Sequence, residues 1–182
     1  MALKFTTSYV EDSLALFRYY KGLAERAIAQ VTDEQLDAVL DQQMNSIAII
    51  VKHIAGNMRS RWTDFLTSDG EKPGRNRDSE FVDAPQSREA LMQLWENGWD
   101  LVFAALDPLS DADLGRTITI RGEPHSVMQA INRQIAHYAH HVGQIVLLAK
   151  HFQHEKWNSL SVPRGQSSDF NQQVAAGKAS QR

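Results

Sequence analysis

The sequence predicts an all-α fold, a four-helix bundle with a small β-hairpin before its last long helix. Three observations carry that prediction. Four long segments repeat their apolar residues at three- and four-residue steps. A long connection rich in Gly, Pro and charge separates the second of these from the third, as in a bundle with a crossover. Only one short stretch alternates polar and apolar side chains as a strand does.

The first segment spans residues 7–31, where Leu14, Phe17, Leu23, Ala24, Ala27 and Ile28 share a stripe. Thr32 and Gln35 have the spacing of a capping box and open a short helix over 33–40. The second long helix is expected over 45–66, with Ile47, Ile50, Val51, Ile54, Met58, Trp62 and Phe65 on one face. Residues 68–86 contain Gly70, Pro73, Gly74 and Pro85 and form a connection long enough to be functional or loosely ordered. Ser87 caps a third helix over 88–106, ended by Asp107-Pro108. Residues 110–113 suggest one helical turn. Residues 116–120 alternate and are β-branched, Arg121-Gly122-Glu123 turns the chain, and 124–127 return as a hairpin. The fourth long helix covers 126–152.

The chain has 182 residues, of which 42% are hydrophobic and 23% charged, proportions that suit one domain with a buried core. The bundle is assigned to residues 1–155. Residues 156–182 read as an irregular tail, docked on the bundle by Trp157 and frayed at its end. The net charge of −3 does not suit a protein that binds nucleic acid by neutralising phosphates. The longest apolar run, residues 47–51, is far below the ~20 residues of a membrane span. The first residues lack the apolar core of a signal peptide, so the expected compartment is the cytoplasm. There is no cysteine, which excludes disulfides, thiolate metal sites and a cysteine nucleophile.

A metal would therefore rest on His, Asp or Glu. Six of the seven histidines follow residue 124, and His137, His140 and His141 fall on the fourth long helix. With Val127 at 0°, the apolar residues Ile131, Tyr138, Val142, Ile145, Ala149 and Phe152 lie between roughly −20° and +60°. His141 falls near about −40°, His137 near about −80° and His140 near about −140°. His137 and His141 thus face inward one turn apart, while His140 faces the polar side. Two imidazoles at that spacing can share one ion, and they can equally be core histidines satisfied by hydrogen bonds. Tyr138 stands where a zincin has its Glu, which excludes that motif. His53 lies among Ile50, Val51 and Ile54 on the flank of the second stripe, and periodicity does not pair it with the fourth helix.

Asn57 and Arg61 follow His53 by one and two turns, Arg133 precedes His137 by one turn, and Gln144 follows His141. These four are placed to orient metal ligands or touch a substrate; an Arg in such a place also serves as a solvated or salt-bridged residue. No carboxylate occupies a helical position that marks it as a general base. Trp62, Trp95 and Trp99 have the spacing of core packing, His151 and His154 suit a helix C-terminus, and His125 has no assigned role.

His53 followed by His137-x-x-x-His141 and Val142-Gly143-Gln144 resembles the DinB-like (DinB/YfiT) superfamily over about residues 5–152. Members commonly carry His-x-x-x-His-Arg-Gly-Gln there, and Val142 replaces the Arg. Residues 62–73 and 156–166 look like an uncharacterised branch of that superfamily. The resemblance implies up-down-down-up connectivity, a homodimer, and one divalent ion, zinc or nickel, held by His53, His137 and His141. It also implies a metal-dependent transferase, with a low-molecular-weight thiol as cosubstrate, or a hydrolase, acting on a small molecule. An ion held by neutral imidazoles keeps its full charge and can lower the pKa of a bound water or thiol. The alternative is a non-catalytic bundle used for dimerisation or small-ligand binding, which Val142 and the missing base would suit.

Overall fold

The computed structural model describes residues 6–180. The fold is mostly helical. Six helices run in order as α1 (Tyr9–Ile28), α2 (Asp33–Asp37), α3 (Ile47–Trp62), α4 (Arg88–Leu106), α5 (Val127–Gln153) and α6 (Ser167–Ala175). One antiparallel hairpin, β1 (Thr117–Ile120) with β2 (Glu123–Ser126), precedes α5.

The ends of the helices follow local chemistry. Ser8, Ser46, Ser87 and Ser126 each accept a hydrogen bond from a first-turn backbone N–H, at α1, α3, α4 and α5 respectively. Thr32 and Gln35 form the expected capping box, but α2 stops at Asp37, short of residue 40. The second long helix also ends early, at Trp62, because Thr63 is extended and Asp64 has φ 47°. The hairpin turns through Arg121 and Gly122, at φ 56° and 76°, the pair of positive values that a two-residue turn needs to match strand twist. Asp69 holds this tip, accepting from the backbone N–H of Arg121 and of Gly122 at 2.8 Å each.

α3 packs against both α4 and α5, and α1 packs against α5 and α4. Phe17, Trp62, Trp99 and Tyr138 meet at the centre, with ring centroids 5.6–6.1 Å apart in edge-on or tilted pairs. α3 and α4 approach closely at Gly98, where an added Cβ would lie 2.9 Å from the Met58 sulfur and 3.3 Å from the Ala55 Cα.

The tail departs from its expected irregularity. Trp157 and Leu160 pack against the core, and Asn158 exchanges two backbone hydrogen bonds with the Gln30 side chain. Beyond Gly165, at φ 82°, nine residues free of Gly and Pro form α6, which buries none of its side chains. Among the described residues no helix is long and apolar enough to cross a membrane.

Candidate metal centre

Helix α3 carries His53 on its buried side, and α5 brings His137 and His141 to meet it. One ring nitrogen from each of the three histidines lies within 4.8 Å of the other two. His137 Nε2 is 3.4 Å from His53 Nε2 and 3.2 Å from His141 Nε2. Two imidazole nitrogens on one tetrahedral ion, with bonds of roughly 2.0–2.1 Å, stand about 3.3 Å apart. His140 is exposed on the outer side of α5, as its angle on the helix predicts.

The outer nitrogens decide what the inner ones present. His53 Nδ1 lies 2.8 Å from the Glu80 carboxylate, and His141 Nδ1 lies 2.7 Å from the Gln144 amide oxygen. Both partners accept, so both Nδ1 atoms carry the proton and both Nε2 lone pairs point inward. A proton on His137 Nε2 serves only one of those lone pairs. A proton on His137 Nδ1 leaves three lone pairs converging, and that buried Nδ1 has no hydrogen-bond partner. One cation between the three nitrogens satisfies all of them. The residues therefore fit a divalent ion.

Protonation favours the same state. Burial, reinforced by the surrounding imidazoles and by Arg61 and Arg133, pushes the His137 pKa down to about 3. Burial also lowers His141, against the opposing hydrogen bond to Gln144. Near neutrality both rings are neutral, the form in which imidazole binds metal without displacing a proton.

The four flanking residues take different places. Gln144 orients His141 as described. Asn57 is buried and accepts from the Tyr138 hydroxyl at 3.2 Å, which in turn accepts from Trp62 Nε1 at 2.9 Å. This chain ties α3 to α5 beside the histidines. Arg61 makes no hydrogen bond to the three histidines. Its buried guanidinium donates to the Gly70 carbonyl and to Glu71, anchoring the loop after α3. Arg133 is exposed and makes no hydrogen bond or ion pair among the described residues.

Glu80 was missed by the sequence reading. It sits in a single 3-10 turn, Asp78–Phe81, inside the long connection. Its carboxylate takes a two-pronged ion pair from Arg75, at 2.8 and 2.9 Å, and both side chains are at most 8% exposed. Burial pushes the carboxyl pKa up, but hydrogen bonds from His53 and Arg75 outweigh it and hold Glu80 ionised. The next residue, Phe81, stacks on the His53 ring with centroids 4.7 Å apart. Gly56 makes room on α3, where an added Cβ would overlap the Glu80 carboxylate. The only sequence signal for this contact was the length of the connection, since a loop residue has no period to read.

No curated protein and no solved structure matches the chain at a significant level. A family model described as "Protein of unknown function (DUF1572)" matches residues 4–166, and the chain belongs to that family.

Proposed function

We propose that the protein is a metal-dependent enzyme of DinB-like type, a transferase using a low-molecular-weight thiol or a hydrolase, acting on a small molecule. The observation that carries this reading is the convergence of three imidazole nitrogens, two of them aimed by Glu80 and Gln144. The contacts of α1, α3, α4 and α5 support a four-helix bundle; its up-down-down-up connectivity is what the resemblance implies. The homodimer and the cytoplasmic compartment belong to the same reading.

His53, His137 and His141 would hold one divalent ion, zinc or nickel; imidazole suits either. Such an ion supplies Lewis-acid chemistry towards a thiol, a water molecule or a carbonyl. Glu80 fixes the tautomer of His53 and keeps its ring basic, while Arg75 keeps Glu80 ionised. Gln144 does the same for His141 without adding charge. Phe81 covers one face of the His53 ring and excludes water there. Glu80 lies on the outer nitrogen of His53, so its place is that of an orienting group.

Elemental analysis of the tag-free protein tests the reading. About one zinc or nickel ion per chain is expected, lost on His53→Ala and on His141→Ala. A chain that takes up no divalent ion, even after dialysis against zinc and nickel, would overturn it. Metal-loaded protein then enters a screen of thiol-transfer and hydrolysis substrates, with activity lost on chelation as the expected outcome.

A further inference from the structure

A cavity of about 460 Å³ lies between α3, α4 and the connection that carries Glu80. Its volume is in the range of small-molecule sites, roughly 300–1,000 Å³. None of the three histidines lines it. Ala55, Leu94 and Leu101 supply apolar wall, and Gly56 and Gly98 line it beside them.

The charge on that wall is one-sided. Lys52, Arg59, Lys72 and Arg75 line the cavity, against a single carboxylate, Glu80. Glu80 is already committed to His53 and Arg75. Among the described residues Lys52 pairs with no carboxylate; its ammonium donates to the backbone carbonyls of Ser79, Val82 and Asp83. Lys72 donates to the Ser68 hydroxyl and the Asp69 carbonyl, with the Asp64 and Asp69 carboxylates acting on it only at longer range. Arg59 is exposed, and among the described residues its side chain makes no hydrogen bond or ion pair. Arg75 and Glu80 offset each other, so among the described residues a chain whose net charge is −3 gathers three cations without a contacting carboxylate, Lys52, Arg59 and Lys72, around one apolar hollow.

We infer that this cavity is a binding site for a small organic anion, a molecule with one carboxylate and an apolar body. The apolar part fills the hollow between Leu94 and Leu101, and the carboxylate meets Arg59 and Lys72 at its rim. This site is separate from the metal centre and does not depend on it. The two share the Arg75–Glu80 pair, which forms a wall of the cavity on one side and orients His53 on the other, and Gly56 beneath it.

The test is calorimetric titration of octanoate into the full-length protein, with octanamide as the neutral counterpart. Saturable binding of one octanoate per chain is expected, and about tenfold weaker binding of octanamide. Arg59→Glu reverses an exposed charge and should weaken octanoate about tenfold or more. Leu94→Trp fills the hollow and should abolish binding of both probes. Metal content, measured in the same samples, stays at the wild-type level in both variants, so failure here is distinct from failure of the metal reading. Absence of saturable binding overturns the inference, as does octanoate binding that neither substitution weakens or that octanamide equals.

Discussion

Glu80 Oε2 stands 2.8 Å from Nδ1 of His53, across 27 residues of sequence and away from solvent. This contact joins the loop between α3 and α4 to the three-histidine cluster. Changing it should alter metal affinity before it alters the fold. Glu80→Gln keeps the shape but removes the charge, and metal affinity should fall by about 10–100-fold. Competition with a chelating dye measures it; unchanged affinity would mean that His53 needs no carboxylate. Glu80→Ala should do more. It leaves Arg75 buried without its main partner, and urea unfolding should report a loss of roughly 3–5 kcal/mol.

Gly56→Ala tests the same contact from the helix side. Alanine is the better helix former, so an exposed site would gain stability. Here the added methyl meets the Glu80 carboxylate and must push it off His53. The expected result is weaker metal binding in a protein that still folds. Metal affinity equal to wild type would show that the loop shifts without cost.

His140 separates a specific site from a merely histidine-rich helix. His137→Ala should release the ion, and His140→Ala should retain it, because His140 lies on the exposed side of α5. Metal per chain in the two purified variants decides the point. Equal loss from both would place the ion elsewhere.

Tyr138→Phe should destabilise the protein by about 1–3 kcal/mol. The substitution leaves Trp62 Nε1 without its acceptor and Asn57 without its donor. Thermal or urea unfolding of the variant measures the cost, and a neutral result would mean that the two stranded groups re-pair.

Acid sensitivity should have an identifiable contribution from Asp111. Its carboxylate accepts from the backbone N–H of Val10 and Tyr9 and from the Ser8 hydroxyl, at 3.0–3.2 Å, capping α1 from a distant turn. The hydrogen bond from Val10 leads the contacts that hold its pKa below the usual carboxylate value. A depressed folded-state pKa contributes stability above the unfolded value, near about 3.9, and loses it as pH falls through the folded one. Asp111→Asn should therefore flatten the acid limb of the stability curve below about pH 4 while changing its neutral and alkaline limbs little in slope. An unchanged acid limb would sink the assignment.

The sequence by itself determined the four long helices and which side of each is buried, but not α6 or the early ends of α2 and α3. The stripe Ile50, Val51, Ile54, Met58 and the stripe Val127, Ile131, Tyr138, Val142 both follow from a turn of ~100° per residue. The inward pairing of His137 with His141 and the outward turn of His140 came from the same arithmetic. The hairpin came from a different signal, the alternating β-branched run before the turn at Arg121-Gly122. Periodicity reports that a face is buried, never what it is buried against. His53 lies 84 residues before His137, and only the packing of α3 on α5 brings their nitrogens together. Arg61 has the same helical spacing that suggested a place near the histidines, yet it spends its charge on Gly70 and Glu71. Glu80 and Arg75 lay beyond the reach of pattern altogether. They come from an irregular segment whose course is set by ion pairs, by Phe81 stacking on His53 and by the missing side chain of Gly56. Local spacing fixes direction along a helix; long-range contacts between segments with no shared period exist only once the chain has closed around its core.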